Sequence, residues 1–139
     1  MTTERRRTST TDELRASEVR RRRKAHRAGK RAELVATLYL RLTGWRILAR
    51  RFLVSGGEID VIARRGRTIA FVEVKLRATM EAAAVSIDGA KRRRMTRAAR
   101  VFVSRQRVGA ALTYRADALY LAPWCLPRHV PAAFVLDLG

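Results

Sequence analysis

Two short runs, Gly57-Glu58-Ile59-Asp60-Val61-Ile62-Ala63 and Ile69-Ala70-Phe71-Val72-Glu73-Val74-Lys75, flank the tetrapeptide Arg64-Arg65-Gly66-Arg67 and constrain this chain more than any other feature. Both are filled with β-branched and aromatic residues, and a glycine sits where a tight turn can use a positive φ. They predict two antiparallel strands joined as a hairpin. Side chains alternate along a strand, so Glu58, Asp60 and Ile62 share one face of the first, and Ile69, Phe71, Glu73 and Lys75 share one face of the second. Folding the hairpin about Arg65-Gly66 brings these sets to the same side of the sheet, with Phe71 opposite Asp60 and Glu73 diagonally beside Asp60. The other face (Ile59, Val61, Ala63, Ala70, Val72, Val74 and Leu76) is wholly apolar and must pack on another layer. Three carboxylates and a lysine therefore converge at one end of a half-buried hairpin, which is costly unless the charge is used.

The chain has 139 residues, 47% of them hydrophobic, enough for one domain with a real core and a tail. Its net charge of +19 points to a polyanionic partner, in the first place nucleic acid. An anionic membrane is the competing partner, but neither an amphipathic anchor nor a lipidation signal is present. No apolar run approaches the roughly 18 residues that span a bilayer. The N-terminal arginines are followed by no apolar segment of a secretory signal. Cys125 is the single cysteine, which excludes an intramolecular disulfide. These features lead us to expect a cytoplasmic protein, nucleoid association included, with no membrane partner.

Residues 1–28 read as a basic arm, disordered or loosely helical, ahead of a single domain over 29–139. Residues 1–30 carry eleven basic residues against four acidic ones, densest at Arg20-Arg21-Arg22-Arg23-Lys24. The arm is either a phosphate-gripping extension or a dispensable tail. Leu34, Val35, Leu38 and Leu42 recur at helical spacing over Arg31–Leu42, with Gly44 as a stop. Glu33 falls in the first turn, where the helix dipole favours a carboxylate, and taken alone it is a helix-start residue before it is a ligand. Trp45 to Val54 reads as a first strand, ahead of the hairpin.

Residues 77–86 read as a loop of small residues. Ser86 or Asp88 then caps a second helix reaching about Arg105, with Ala90, Met95, Ala98, Ala99, Phe102 and Val103 as its apolar stripe. Its other faces carry Lys91, Arg92, Arg93, Arg94, Arg97 and Arg100, with no acid after Asp88 to balance them. Arg92, Arg93, Arg94, Arg97 and Arg100 are the candidate nucleic-acid surface. Leu112 to Leu121 reads as a strand with Asp117 as its acid. Pro123, Pro127 and Pro131 interrupt the segment beyond it, and Ala133 to Leu138 reads as a short edge strand.

From residue 31 onward there are eight acids, and three of them fall within sixteen residues on the hairpin. Cross-strand pairing with arginine would explain them structurally; metal chemistry explains them functionally. A hard divalent cation such as Mg²⁺ takes oxygen ligands and keeps several waters, so two carboxylates and a substrate phosphate suffice. Asp60 and Glu73 can supply the carboxylates and Val74 a carbonyl. Lys75, on the same face, can lower the pKa of an attacking water, orient it, or stabilise a pentacovalent phosphate. No Gly-rich phosphate loop or Gly-x-Ser-x-Gly elbow is present. His26 and His129 are too far apart in sequence to suggest a zinc site.

Several motifs resemble the YraN family of bacterial proteins over about residues 28–121. They are Gly29-x-x-x-Glu33, Ala36-x-x-Tyr39-Leu40, Gly44-Trp45-x-Ile47-Leu48-Ala49-Arg50, Gly57-Glu58-Ile59-Asp60-Val61-Ile62-Ala63, Phe71-Val72-Glu73-Val74-Lys75-x-Arg77, Lys91, and Tyr114-Arg115-x-Asp117. Those proteins look like small PD-(D/E)XK nucleases, related in fold to Holliday-junction resolvases and restriction endonucleases. The resemblance implies a mixed α/β, restriction-endonuclease-like α-β-β-β-α-β core, matching the element order read above. It implies Asp60, Glu73 and Lys75 as the catalytic set and Glu33 as a further ligand to Mg²⁺ or Mn²⁺. It also gives auxiliary roles to Glu58, Arg77, Lys91 and Asp117. The chain departs from the family pattern at Arg51-Phe52-Leu53, Leu76 and Asp88-Gly89-Ala90-Lys91, which touches substrate contacts and removes no ligand. The expected function is a Mg²⁺-dependent endonuclease hydrolysing phosphodiesters in DNA, branched or single-stranded forms included. The alternative is a non-catalytic nucleic-acid-binding module that keeps the fold. A homodimer is compatible with either, although no interface is legible.

Overall fold

The computed structural model describes residues 3–84, 87–107 and 111–139, with the side chains of 3–9, 25 and 26 left out. The chain divides into two units at Arg31/Ala32. Helix α1 spans Thr3–Leu42. In the first unit its residues are helical from Thr3, and Arg22 pairs with Glu18 one turn earlier at 2.8 Å.

The second unit is built on the hairpin. Strands β2 (Gly57–Arg65) and β3 (Thr68–Leu76) pair antiparallel. Arg65 faces Thr68, so Gly66 and Arg67 form a two-residue turn, and Gly66 takes φ 60, the positive value that the first position of a II′ turn requires. The turn is thus centred one residue later than the sequence suggested, and Ile62 rather than Asp60 faces Phe71. Moving the register by two residues leaves each side chain on its face, so Asp60 and Glu73 remain on one side.

Strand β1 (Arg46–Val54) joins β2 antiparallel, with a bulge between Ile47 and Ala49. On the far side β4 (Thr113–Leu121) runs parallel to β3, and β5 (Arg128–Phe134) closes the edge antiparallel, giving the order β1-β2-β3-β4-β5. A parallel pair needs a crossover. It is supplied by α2 (Met80–Ala83) and α3 (Gly89–Ser104). The stretch expected as a loop therefore contains a one-turn helix, whose Ala82 N–H is capped by the Thr79 hydroxyl at 3.2 Å. Asp88 caps α3, accepting the Lys91 N–H at 2.8 Å. Ser86, the other cap considered, lies outside the described residues.

Helices cover both faces of the sheet. On one face Ala32, Ala36 and Leu40 of α1 pack on Val61, Ala63, Ala70, Val72, Leu119 and Leu121. The apolar residues whose spacing marked the helix, Leu34, Val35, Leu38 and Leu42, are exposed. The alanines let the helix lie close to the sheet with Leu40 as its large buried side chain, while Leu34, Val35, Leu38 and Leu42 turn outward. On the other face Met95, Ala98 and Ala99 of α3 are buried, while Ala90 of the expected stripe is exposed. Ala98 and Ala99 pack on Ile59, Ile62, Ile69 and Phe71. Ile59 therefore lies under α3 rather than with the α1-side residues, where strict alternation had put it. Gly57 makes the α3 contact: a Cβ there would stand 2.7 Å from the Arg94 carbonyl oxygen and 2.8 Å from the Ala98 nitrogen. Glycine is the residue that allows so close a backbone approach.

The last strand begins earlier than expected, at Arg128 rather than Ala133, and runs through Pro131. Proline lacks a donor N–H, yet an edge strand tolerates it where that N–H would face outward. A register shift between Ala116 and Ala118 accompanies it, with Ala132 at φ 50.

Candidate active site

The ladder between β2 and β3 ends at Val61–Val72, and the Val74 N–H, two residues beyond, donates to Asp60 Oδ2 at 2.9 Å. This bond ties Asp60 to the strand that carries Glu73 and Lys75, where alternation places the last two on the α3 side. Helix α3 contributes Lys91 from its first turn. The Lys91 ammonium stands 2.9 Å from Glu58 Oε1 and 3.2 Å from Glu73 Oε2. The second contact has ion-pair distance without hydrogen-bond alignment, so the buried Oε2 of Glu73 keeps no hydrogen-bond partner. Arg94 adds a longer contact, 3.6 Å, to Glu58.

The electrostatics are set by this packing. Burial, and then the nearby charge of Asp60, push the Glu73 carboxyl up to about 8, against the opposing pull of Lys91. Glu58, held by its hydrogen bond to Lys91, moves below the usual range. Burial works against the Lys91 charge, but the hydrogen bond to Glu58 and the fields of Asp60 and Glu73 outweigh it and raise its pKa. Glu73 is thus the carboxyl of the cluster on which burial and the Asp60 charge together outweigh the cation beside it. Lys75 lies close enough for its charge to act on Asp88, the cap of α3.

The other candidate residues fall in three groups. Glu33 projects from α1 onto Arg51, whose Nε donates to its Oε1 at 2.6 Å, and the charge of Asp60 also reaches Arg51. Asp117 stands on the face of α1, not that of α3. It is fully buried and accepts from Arg115 at 2.7 and 2.8 Å and from the Ala132 N–H at 3.0 Å, and His129 Nε2 lies 2.7 Å away. It is a structural hub apart from the carboxylate pair. Arg77 is exposed at the end of β3, donating to the Leu76 carbonyl at 2.7 Å.

Arg92, Arg93, Arg94, Arg97 and Arg100 line the exposed side of α3. Arg100 is partly spent on Asp137, at 3.4 Å. Sequence reasoning noted Arg51 only as a departure from the family pattern and missed its pairing with Glu33 and its place in the field of Asp60, at the strained value φ 50. It also missed an open cleft of about 410 Å³ lined by Gly44, Arg46, Arg64, Arg65 and Gly66. The direct pairing of Arg46 with Arg64 across β1 and β2 was the signal, readable only once the register is known.

Among the described residues no three Asp, Glu, His or Cys side chains gather at metal-binding spacing. What is present is a carboxylate pair, and that donor set suits one class of ion. Two carboxylates with a neighbouring carbonyl, one oxygen buried with an ion-pair contact but no hydrogen bond, fit a hard divalent cation that fills its remaining positions with water or phosphate.

A five-stranded mixed sheet with helices on both faces, whose main elements run α-β-β-β-α-β with the short α2 and the edge strand β5 added, is consistent with a restriction-endonuclease-like α/β core. The chain belongs to the family described as "Uncharacterised protein family UPF0102", whose model matches residues 32–121. This is the YraN family that the motifs resemble. Among its relatives, a UPF0102 protein of Methylorubrum populi is 60% identical over 114 residues, 82% of this chain and 91% of the relative. One from Methylorubrum extorquens is 56% identical, with coverage of 84% and 91%, and one from Methylobacterium nodulans 53%, with coverage of 86% and 92%. Among the described residues no helix is long and apolar enough to cross a membrane.

Proposed function

We propose that this chain is a metal-dependent phosphodiesterase of the PD-(D/E)XK class acting on DNA. The observation that carries the reading is the Asp60–Glu73 pair, half-buried at Asp60 and buried at Glu73, whose Glu73 Oε2 lacks a hydrogen-bond partner beside a strongly basic helix. Asp60, Glu73 and the Val74 carbonyl would hold Mg²⁺ or Mn²⁺. When bound, the ion supplies Lewis-acid polarisation of a phosphoryl oxygen. The Val74 N–H fixes the Asp60 carboxylate in place. Lys75, on the face of Glu73, offers its ammonium to the charge that builds on phosphorus-bound oxygens as the bond breaks. Lys91 holds Glu58 and balances Glu73, and the arginines of α3 draw in the phosphate backbone.

One observation favours the second reading, a binding module without turnover. The Lys91 ammonium already stands against Glu73, so the acidic cluster carries a built-in cation. Cleavage assays on single-stranded, duplex, flapped and four-way-junction DNA with Mg²⁺, Mn²⁺ or EDTA separate the two. Metal-dependent cutting that an Asp60→Asn preparation lacks supports the enzyme. Tight binding with no cutting on any substrate supports the module.

A further inference from the structure

The connection from β4 to β5 contains a residue that stability alone would not choose. Cys125 N–H donates to the Ala122 carbonyl at 3.3 Å, closing a β-turn with Pro123 and Trp124 at its centre. Proline suits the first central position. In a type II turn the second has a positive φ and is ordinarily glycine or asparagine. Here Trp124 occupies it, at φ 62. A bulky side chain in the left-handed region is strained. The strain gains no packing, because Trp124 is fully exposed at 104%, with Leu126 beside it at 88%.

The turn lies at the end of the sheet that carries the carboxylates. Lys75 and Leu76 of β3 pair with Tyr120 and Leu121 of β4, and the Arg77 N–H donates to the Leu121 carbonyl at 3.1 Å. Trp124 is three residues past Leu121, so chain reach keeps it within about 11 Å of that residue. Two exposed arginines, Arg77 and Arg128, close the neighbouring strand ends. An indole held out to solvent at a strand end that also carries exposed arginines is the combination that grips nucleic acid by base stacking and backbone charge together.

We propose that Trp124 is a stacking platform for an unpaired nucleic-acid base, so that the ligand of this end of the sheet is single-stranded or locally opened nucleic acid. The proposal rests on the nucleic-acid reading above and deepens it, since an intact duplex offers no free base face. Among the candidate occupants of an exposed indole, a base is favoured by the net charge of +19 and by the arginines that border the turn.

The chain has two tryptophans, and Trp45 is buried, so the difference between wild-type and Trp124→Phe emission isolates Trp124. The experiment titrates the full chain in EDTA with a labelled short single strand and with its blunt duplex, reading anisotropy and tryptophan emission together. We expect the single strand to quench Trp124 in step with anisotropy, and the duplex to quench it less. Trp124→Phe should keep most of the affinity. Trp124→Gly should lose roughly tenfold, within the range for one base–aromatic stack, while melting at an equal or higher temperature because glycine relieves the turn. Binding by anisotropy with unchanged Trp124 emission and undiminished affinity of Trp124→Gly overturns the proposal. Flat anisotropy with every nucleic acid overturns it together with the nucleic-acid reading. Emission that responds instead to protein concentration or to anionic vesicles overturns it in favour of a second copy or a lipid surface. Absence of cleavage in the metal assay leaves this result untouched, because the binding is measured without metal.

Discussion

Asp60 and Val74 are joined by a hydrogen bond of 2.9 Å, carboxylate oxygen to main-chain N–H, just where the β2–β3 ladder ends. One side chain thus serves two ends: it satisfies a strand amide and holds a carboxylate beside Glu73. The two roles separate by mutation. Asp60→Asn keeps an acceptor for Val74, so thermal melting should stay close to wild type while cleavage is lost. Asp60→Ala removes the acceptor as well and should destabilise by roughly 1 kcal/mol, the low end for an unsatisfied donor because Val74 is only half-buried. Equal melting of the two variants would show that Val74 does not depend on this bond.

Glu73 gives the pH dependence. Its carboxyl is raised to about 8 in the folded protein, from an ordinary value of 4.5. The folded state therefore holds a proton that the unfolded chain releases, and this contribution to stability is whole below about pH 4.5 and is lost as pH rises toward 8. Without metal, Glu73→Gln should raise the melting temperature at pH 8 and have little effect at pH 4.5. A divalent ion must displace the same proton, so Mg²⁺ affinity should fall up to tenfold per unit as pH drops below about 8. Calorimetric titration in buffers of different ionisation heat measures the released proton; metal binding without proton release would contradict the raised value.

Asp117 has the opposite sign. Its burial favours the neutral form, but the bonds from His129, Arg115 and Ala132 outweigh burial and hold it below the ordinary 3.8. Its contribution is whole above about pH 4 and is lost as pH falls through the lower folded value. Asp117→Ala leaves the Arg115 charge without its partner and should cost about 3–5 kcal/mol in denaturant unfolding. As this residue stands on the α1 face, any cleavage activity per folded molecule should persist in the variant at temperatures where it is native. A selective loss of turnover would return Asp117 to the site.

The parts of this architecture legible in sequence are those set by local periodicity. Alternation from Gly57 to Lys75 gave the hairpin and put Asp60, Glu73 and Lys75 on one side, and a two-residue error in register could not undo that because the strand period is two. The buried face of α1 was not legible because Ala32 and Ala36 carry little hydropathy, while the exposed Leu34, Leu38 and Leu42 carry much. Burial there is decided by how closely a helix must approach the sheet, which no helical window contains. Pro131 was read as a breaker because its edge position is a property of the sheet. The contacts of Lys91 with Glu58 and Glu73 join residues 33 and 18 positions apart, and only the packing of α3 over Gly57 brings them together.

The arm supplies the last prediction. Residues 1–30 hold eleven basic side chains against four acidic, and Arg22–Glu18 is an exposed pair of the kind worth little to stability. The arm's basic residues exceed its acids by seven (eleven less four), so it carries net positive charge to meet phosphates. Each phosphate neutralised releases condensed counterions, which steepens the fall of affinity with salt. A chain lacking residues 1–28 should bind DNA more weakly at low salt and show a shallower plot of log affinity against log salt. Its melting temperature should be nearly unchanged, since the core packing begins at Ala32. If the arm grips the backbone, the two proteins' affinities converge as salt rises, because the contacts removed are the ones salt weakens most. Parallel plots at equal affinity would make the arm a passenger, and a lowered melting temperature would give it a structural role in the domain.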